Sequence, residues 1–339
     1  MNLNVLYGFV KTVIGNGGVS GVRPLLENAE REVAHLGKLV TAGDYAVPRL
    51  DTAPPGKGVN VMINDMPLSE KLTVLPIMFR VIDSVVTCGH YMKDKLSPTK
   101  HTYDADLMAT IETLLRDNGA VEVGFTKISE HDIFKDCAIP YQNAIVFTMD
   151  MKKDAIDTAP SHDALKEVLG TYASLGKNAV CVTEYLRDAG YGAYPGFPIG
   201  GLVDYVRVGQ DAGIGGIGYH GMLISPSDGT RQRINVIFTN MDLPERASAN
   251  PHEWILDFCA MCNKCVRNCP PEAIYTDATP HPETGRKITI DYDKCVTYYG
   301  ENQGCAVCVK VCPFSQAGYE KIEDGFLTAQ AKRLARQGA

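Results

Sequence analysis

The apolar positions of the central part of the chain fall into two periods. Leu107, Ile111, Leu114 and Leu115 recur at helical spacing; Asp104 or Asp106 serves as the cap, and Asp117-Asn118-Gly119 is the stop. Short apolar runs at 121–126, 144–149 and 234–239 read as strands. Between them, Asp163 opens a long helix with Leu165, Val168, Leu169, Tyr172, Leu175, Ala179, Val182 and Leu186 on one side, which Gly190 ends. Helices and strands alternate, which predicts a mixed α/β domain over 103–249.

The flanks read differently. Leu3, Leu6, Tyr7, Val10, Val13 and Ile14 form an amphipathic pattern, read as a docked helix rather than a membrane-surface one because its polar face is poor in Lys and Arg. Pro and Gly then interrupt the chain, as at 52–58, and a buried helix is expected at 77–92; the fold of 1–102 is otherwise open. Residues 287–291 read as a strand, and 326–336 as a short basic helix in a tail that begins at 317.

Two runs of cysteine change the picture. Cys259, Cys262, Cys265 and Cys269-Pro270 read C-x2-C-x2-C-x3-C-P; Cys295, Cys305, Cys308 and Cys312-Pro313 follow. This is the ligand pattern of a bacterial two-cluster ferredoxin, in which the last Cys of each run ligates the other cluster. Cys259, Cys262, Cys265 and Cys312 are therefore assigned to one [4Fe–4S] cluster, and Cys269, Cys295, Cys305 and Cys308 to a second, within a module at 250–316. Thiolates two residues apart can wrap several corners of a cubane from one tight turn. Structural zinc or disulfides are the alternatives for C-x2-C pairs, and the interleaving of two runs argues against them. Cys88, Cys137 and Cys181 lie among apolar neighbours and read as core thiols.

Composition narrows the classes. The chain has 339 residues, 45 % of them hydrophobic and 22 % charged, with a net charge of −7. It carries no basic stripe, so nucleic acid is not an expected partner. No run of 18 apolar residues is present, so no transmembrane segment is expected. The first 15 residues lack a basic n-region, a twin arginine or a cleavage site, from which a cytoplasmic location is expected. Gly213-Ile-Gly215-Gly-Ile-Gly218 matches a dinucleotide fingerprint, but 205–211 makes a poor preceding strand, and Gly221 and Pro226 spoil a following helix. The eight His are isolated from one another, and His220, in a Gly-rich turn, is the best candidate among them. By pattern alone, Tyr172 reads as a core Tyr and Arg231 and Arg233 as a solvated pair.

Taken together, residues 104–316 resemble the corrinoid- and iron–sulfur-dependent reductive dehalogenases. The resemblance runs through Leu114 to Gly124, Tyr141-Gln-Asn-Ala-Ile-Val146, Ala159-Pro160-Ser161 and Glu184 to Ala193. It continues through Ala212-Gly-Ile-Gly215, Gly221 to Pro226, Arg233 to Thr239 and the Cys runs. It implies a nitroreductase-like domain, α/β or α+β, that buries a base-off corrinoid and takes electrons from the ferredoxin-like module. Carried over position by position, it makes Tyr172 the proton donor and Arg233 the cation that stabilises its tyrosinate. The strip Gly218, Tyr219, His220, Gly221, Met222, Leu223 and Ile224 would line the corrinoid. The residue types suit this: a phenol is a weak acid alone, and a permanent cation beside it favours its ionised form.

The chain departs from the family at two places. The loop Pro195-Gly-Phe-Pro-Ile-Gly-Gly201 lacks the family's polar Asn, and the family's G-R-N-G is Gly218-Tyr-His-Gly221. The expected activity is reductive cleavage of a carbon–halogen bond of an organohalide, with a ferredoxin- or flavodoxin-type donor and a homodimer as a possible assembly. The rivals are three: another cobamide-dependent reduction, such as that of epoxyqueuosine; a non-catalytic iron–sulfur electron carrier; and a corrinoid protein without catalysis. Epoxyqueuosine reductases place a catalytic Asp in G-R-D-Y-H near this helix; Gly170-Thr-Tyr-Ala-Ser-Leu175 has none.

Overall fold

The computed structural model describes residues 39–43, 66–135, 137–244, 250–280 and 287–337. The patterns at 3–14 and 52–58 lie outside the described residues. The first part of the fold contains β1 (Val40–Thr41), α1 (Leu68–Met92), α2 (Ala105–Asp117), β2 (Ala120–Lys127), β3 (Ala138–Ile139) and β4 (Asn143–Asp150). It continues with α3 (Lys153–Ile156), α4 (His162–Asp188), β5 (Ala193–Pro195), α5 (Tyr205–Asp211), β6 (Gly216–Ile217), β7 (Leu223–Ile224) and β8 (Gln232–Thr239). The Cys-rich part contains α6 (Trp254–Cys262), α7 (Lys264–Asn268), β9 (Ile274–Pro280), β10 (Lys287–Ile290), α8 (Tyr292–Glu301), α9 (Val307–Val311), α10 (Pro313–Ala317) and α11 (Tyr319–Gln337).

Local signals start and stop the long helices. The Asp104 carboxylate accepts the Leu107 N–H at 3.0 Å. Ser161 Oγ accepts the Ala164 N–H at 3.1 Å, so α4 starts one residue before Asp163. Each such cap is worth about 1 kcal/mol. Gly119 and Gly190 follow the two helix ends at φ +91° and +95°, conformations that suit glycine.

The central sheet has the order β2-β4-β8-β5, and every pair is antiparallel. The alternation of elements in the sequence leaves strand direction open; of the two classes it allows, the sheet is α+β. Its middle strands are apolar at both parities because both faces are covered. Ile145, Phe147 and Ile237 pack with Ile111 and Leu115 of α2 and Leu175, Ala179 and Val182 of α4. Ala144, Val146, Val236 and Phe238 pack with Val85, Cys88 and Met92 of α1 and Val208 of α5.

Three expectations are corrected. The helix expected at 77–92 begins at Leu68 and runs through Pro76. Packing along α4 overrides the local break, burying Val74, Met78, Val81, Ile82, Val85, Cys88 and Met92. At 25 residues, with an 18-residue stretch of mean hydropathy 1.6, α1 is long and apolar enough to cross a membrane, by length and composition only. Counting uninterrupted apolar residues misses it because Arg80 and Asp83 break the run. Second, 205–211 is a helix, started by Asp204, whose carboxylate accepts the N–H groups of Val206 and Arg207. The G-x-G-x-x-G segment therefore leaves a helix and enters the β6–β7 hairpin, so both flanks of a dinucleotide fold are missing. Third, the tail helix spans Tyr319–Gln337 rather than 326–336.

The Cys-rich part docks on the end of the sheet through close backbone and polar contacts. Gly229, at φ +60°, presses against Phe314: a Cβ added there would lie 2.6 Å from the Phe314 carbonyl carbon. Beside it, Thr230 Oγ1 and Ser315 Oγ share a buried hydrogen bond of 2.6 Å. Lys310 Nζ donates to the Ala159 carbonyl at 2.9 Å, and Gln316 Nε2 to Asp157 Oδ1 at 2.7 Å. Trp254 is ringed by Phe258, Phe314, Tyr319 and Phe326, which fastens α11 to α6.

Gly229→Ala puts a side chain into left-handed backbone against a fixed main chain. It should cost about 1–3 kcal/mol, read as a lower urea midpoint. Cys88 gives a pH test. Burial pushes its thiol up to about 12, and its Sγ–H faces the Gly176 carbonyl at 3.9 Å. The unfolded chain ionises this thiol near its ordinary value and the folded chain does not. Its burial is therefore without effect below pH 9, and stability falls as pH rises from 9 toward 12. Iodoacetamide at pH 9 should leave Cys88 unmodified in the native protein and label it in urea.

Candidate active site

The two Cys runs are each a pair of helical turns around a left-handed residue. Asn263, at φ 46°, separates α6 from α7 and turns Cys265 back toward Cys259 and Cys262. In the second run Cys305 and Ala306, at φ 42° and 62°, do this before α9. Turns of this kind aim successive N–H groups inward, as anion sites do.

The eight thiols sort into the two crossed sets. Cys259, Cys262, Cys265 and Cys312 line one pocket, together with His220, Asn263 and Phe314. In the other set, Cys295 interacts electrostatically with Cys269 and Cys305, and Cys308 with Cys295, Cys305 and Cys269. Cys265 is the member of the first set that Cys308 feels, so the two sets adjoin there. Burial, and then the neighbouring thiols, push Cys265 to about 12 and Cys295 to about 11. Cys259 reaches about 12 although the Tyr219 N–H donates to its sulfur. Buried thiols held this high ionise only beside a compensating positive charge, which iron supplies. Among the described residues no three His, Cys, Asp or Glu converge as a single ion requires. The first set instead surrounds a space, as a cubane needs.

A second cavity, of about 200 Å³, opens between α4, β8 and the loop before α5. Tyr172, Pro198, Ile199, Gly200, Gly201, Tyr205, Met222, Leu223, Gln232 and Arg233 are among its walls. Tyr172 comes from the middle of α4 and Arg233 from the start of β8. The Arg233 guanidinium lies 5.2 Å from the centre of the Tyr172 ring, and its Nε is buried with no hydrogen-bond partner. The pair that pattern alone reads as a core phenol and a solvated cation is thus one feature facing one cavity. Arg231 is different: it donates to the Met151 carbonyl at 2.9 Å and pairs with Asp228 at 3.4 Å, an anchoring role.

The strip 218–224 is divided between the two cavities. Met222 and Leu223 line the Tyr172 side. His220 lines the Cys side, Tyr219 contacts Cys259, and Ile224 packs with Ile255, Cys259 and Cys312. Gly218 abuts Ile224 and His220, and Gly221 abuts Ile290. The split follows from the tight turn, closed by the Gly218 N–H to the Met222 carbonyl at 3.0 Å and the Gly221 N–H to the Gly218 carbonyl at 2.9 Å.

Tyr299 is a site residue that sequence reasoning misses. It lies within electrostatic reach of Tyr172 and Arg233 on one side and Cys295 and Cys305 on the other. Burial, then the Tyr172 phenol, push it up to about 12, against the pull of Arg233. Its sequence signal is the aromatic pair Tyr298-Tyr299 in the long spacer between Cys295 and Cys305. Tyr205 is a second such residue: its hydroxyl donates to the Phe197 carbonyl at 2.9 Å and shapes the loop wall.

Comparison with known proteins bears on the Cys-rich part and on the fold. Residues 258–316 match the family described as a 4Fe-4S dicluster domain. The tetrachloroethene reductive dehalogenase of Sulfurospirillum multivorans is 30 % identical over 221 residues, covering 59 % of this chain and 43 % of the relative. That of Dehalobacter restrictus is 31 % identical over 213 residues, covering 58 % and 37 %. Over these matched segments the chain is similar to the reductive dehalogenases. It spans less than half the length of these curated relatives. An epoxyqueuosine reductase of Synechococcus is a more distant relative, 29 % identical over 121 residues, 32 % of this chain and 33 % of that one. The fold is that of a solved catabolic reductive dehalogenase, at a TM-score of 0.63 and 22 % identity, covering 75 % of this chain and 40 % of the other. A second solved reductive dehalogenase, described for B12-dependent dehalogenation, gives a TM-score of 0.62 at 20 % identity, covering 84 % and 45 %.

The crossed ligand sets give a direct test. Cys312→Ala and Cys269→Ala should each leave roughly four of the roughly eight irons that two cubanes hold. Each variant should lose a different reduced-cluster EPR signal.

Proposed function

We propose that this protein is a corrinoid-dependent reductive dehalogenase acting on a small organohalide. The supporting observation is the convergence of Tyr172 and Arg233 on one cavity whose wall adjoins the second Cys set. Cys308, Met222 and Tyr172 pack against the same buried group, Met151, Ile156, Val168 and Val309. The overall reaction consumes two electrons and one proton: the carbon–halogen bond breaks, a carbon–hydrogen bond forms, and halide leaves.

The cavity suits a flat macrocycle on three grounds. It opens to solvent, Gly200 and Gly201 add no side-chain bulk to its lining, and Met222, Leu223 and Ile234 give it an apolar wall. Those residues, with Gln232, would hold the ring. The unpartnered Arg233 Nε is a donor waiting for an acceptor in that space. When bound, a corrinoid would supply the low-valent cobalt that accepts electrons and reduces the organohalide.

The chain's own residues do the rest. The Cys259 set is the outer cluster and the Cys308 set the inner one, because Cys308 packs beside Tyr172 and Met222. The two Cys sets would hold the clusters that relay electrons from a ferredoxin- or flavodoxin-type donor, and the sets adjoin where Cys265 meets Cys308. Tyr172 gives its hydroxyl proton to the substrate carbon. Arg233 stabilises the phenolate left behind, a charge-assisted role for a cation that never deprotonates. Tyr299 lies between the Tyr172–Arg233 pair and the second Cys set and packs with Tyr172 against Leu165 and Leu169.

Tyr172→Phe should lower turnover by about 10²–10⁴ and keep the bound corrinoid spectrum. The assay is halide release from anaerobically purified protein with a one-electron donor. Near-normal turnover in Tyr172→Phe removes the proton-donor role; iron without bound corrinoid removes the dehalogenase reading and leaves an electron carrier.

A further inference from the structure

His220 has no role in the reaction proposed above, yet its placement is unusual. It is 2 % exposed. Its Nδ1 accepts the Met222 N–H at 3.2 Å, which fixes the tautomer of a neutral ring: the remaining proton sits on Nε2. Nε2 is buried and has no partner in the protein. The ring lies in the wall of the cavity bounded by Cys259, Cys262, Cys265 and Cys312, the one His in that lining. Gly218 makes room for it: a Cβ on Gly218 would stand 2.9 Å from the His220 Cε1 and 3.2 Å from Nε2. A buried N–H donor without an acceptor is rare in a folded protein, and this one borders a space shaped for sulfide and thiolate.

We propose that His220 donates a hydrogen bond from Nε2–H to a sulfur of the Cys259–Cys262–Cys265–Cys312 cluster and sets its potential. Reduction adds one electron and makes the cluster one charge more negative, so a donor to sulfur stabilises the reduced form and raises the potential. The same cluster already receives the Tyr219 N–H on Cys259, and the Phe314 and Ser315 N–H groups with the Thr230 hydroxyl on Cys312. The second set is poorer in such donors: Ala273 N–H reaches Cys269 at 3.3 Å, and Val307 N–H serves Cys305. The outer cluster would thereby be the easier of the two to reduce and would collect the electron from the donor before the inner one receives it. The inference needs only the cluster and is independent of dehalogenation.

The test is an EPR-monitored redox titration of the full chain, anaerobically loaded with iron and sulfide, alongside His220→Ala and His220→Gln. In His220→Ala one of the two cluster potentials should move negative. At a fixed potential the reduced-to-oxidised ratio of that cluster should fall about tenfold, which is about 59 mV for a one-electron couple. The other cluster should stay where it was. His220→Gln keeps an N–H donor and should recover part of the shift. Pulsed EPR on the unaltered chain carrying 15N-histidine should show a His nitrogen and an exchangeable proton coupled to the reduced cluster. Unchanged potentials, equal shifts of both clusters, or no such coupling in the unaltered chain would each overturn the proposal.

Discussion

The arrangement depends on one shared wall. Residues 218–224 form a tight turn and strand with a cavity on each side: His220 and Tyr219 face four thiols, and Met222 and Leu223 face Tyr172 and Arg233. Because the turn is only a few residues thick, the Cys259 set and the Tyr172 cavity lie on opposite sides of it. Small residues permit this. A Cβ on Gly215 would stand 2.3 Å from the Ile224 carbonyl oxygen, so the two arms of the hairpin approach as closely as backbones allow.

Charge sets the second constraint. Burial makes Cys259, Cys265, Cys295, Cys305, Cys308 and Cys312 resist ionisation, and the structure raises the cost by placing thiols beside one another. Iron and sulfide relieve that cost, so cluster binding and the folding of the Cys-rich part are linked. The polar contacts that dock this part on the sheet, through Thr230, Ser315, Lys310 and Gln316, then transmit its order to the cavity edge at Tyr299 and Arg233.

The reaction pair is built from elements far apart in the chain. Helix α4 carries Tyr172 on a side that must also pack on the sheet; β8 begins with Arg233 opposite Met149 of β4. The antiparallel register thus fixes the cation under the phenol, and Asn235 ties the same strand to the loop wall by donating to the Gly196 carbonyl at 3.1 Å. A one-residue slip of β8 would send Arg233 to the opposite face of the sheet.

Much of this was legible in the chain. Periodicity and caps located α2, α4 and the strands β2, β4 and β8 within a residue or two, because Asp104, Gly119 and Gly190 act on their immediate neighbours, whereas the short β5 was missed inside a Gly/Pro-rich stretch read as a loop. Spacing alone gave the crossed Cys sets, since the cubane dictates it. The true start of α1, the helix at 205–211, strand direction, the division of the 218–224 strip and the place of Tyr299 were not legible. Each is decided by contacts between segments tens of residues apart, which override or add to local preference. Composition and pattern fixed which residues could do chemistry. Tertiary packing decided which of them meet, because a cavity and a close cation–phenol pair exist only once distant elements share one wall.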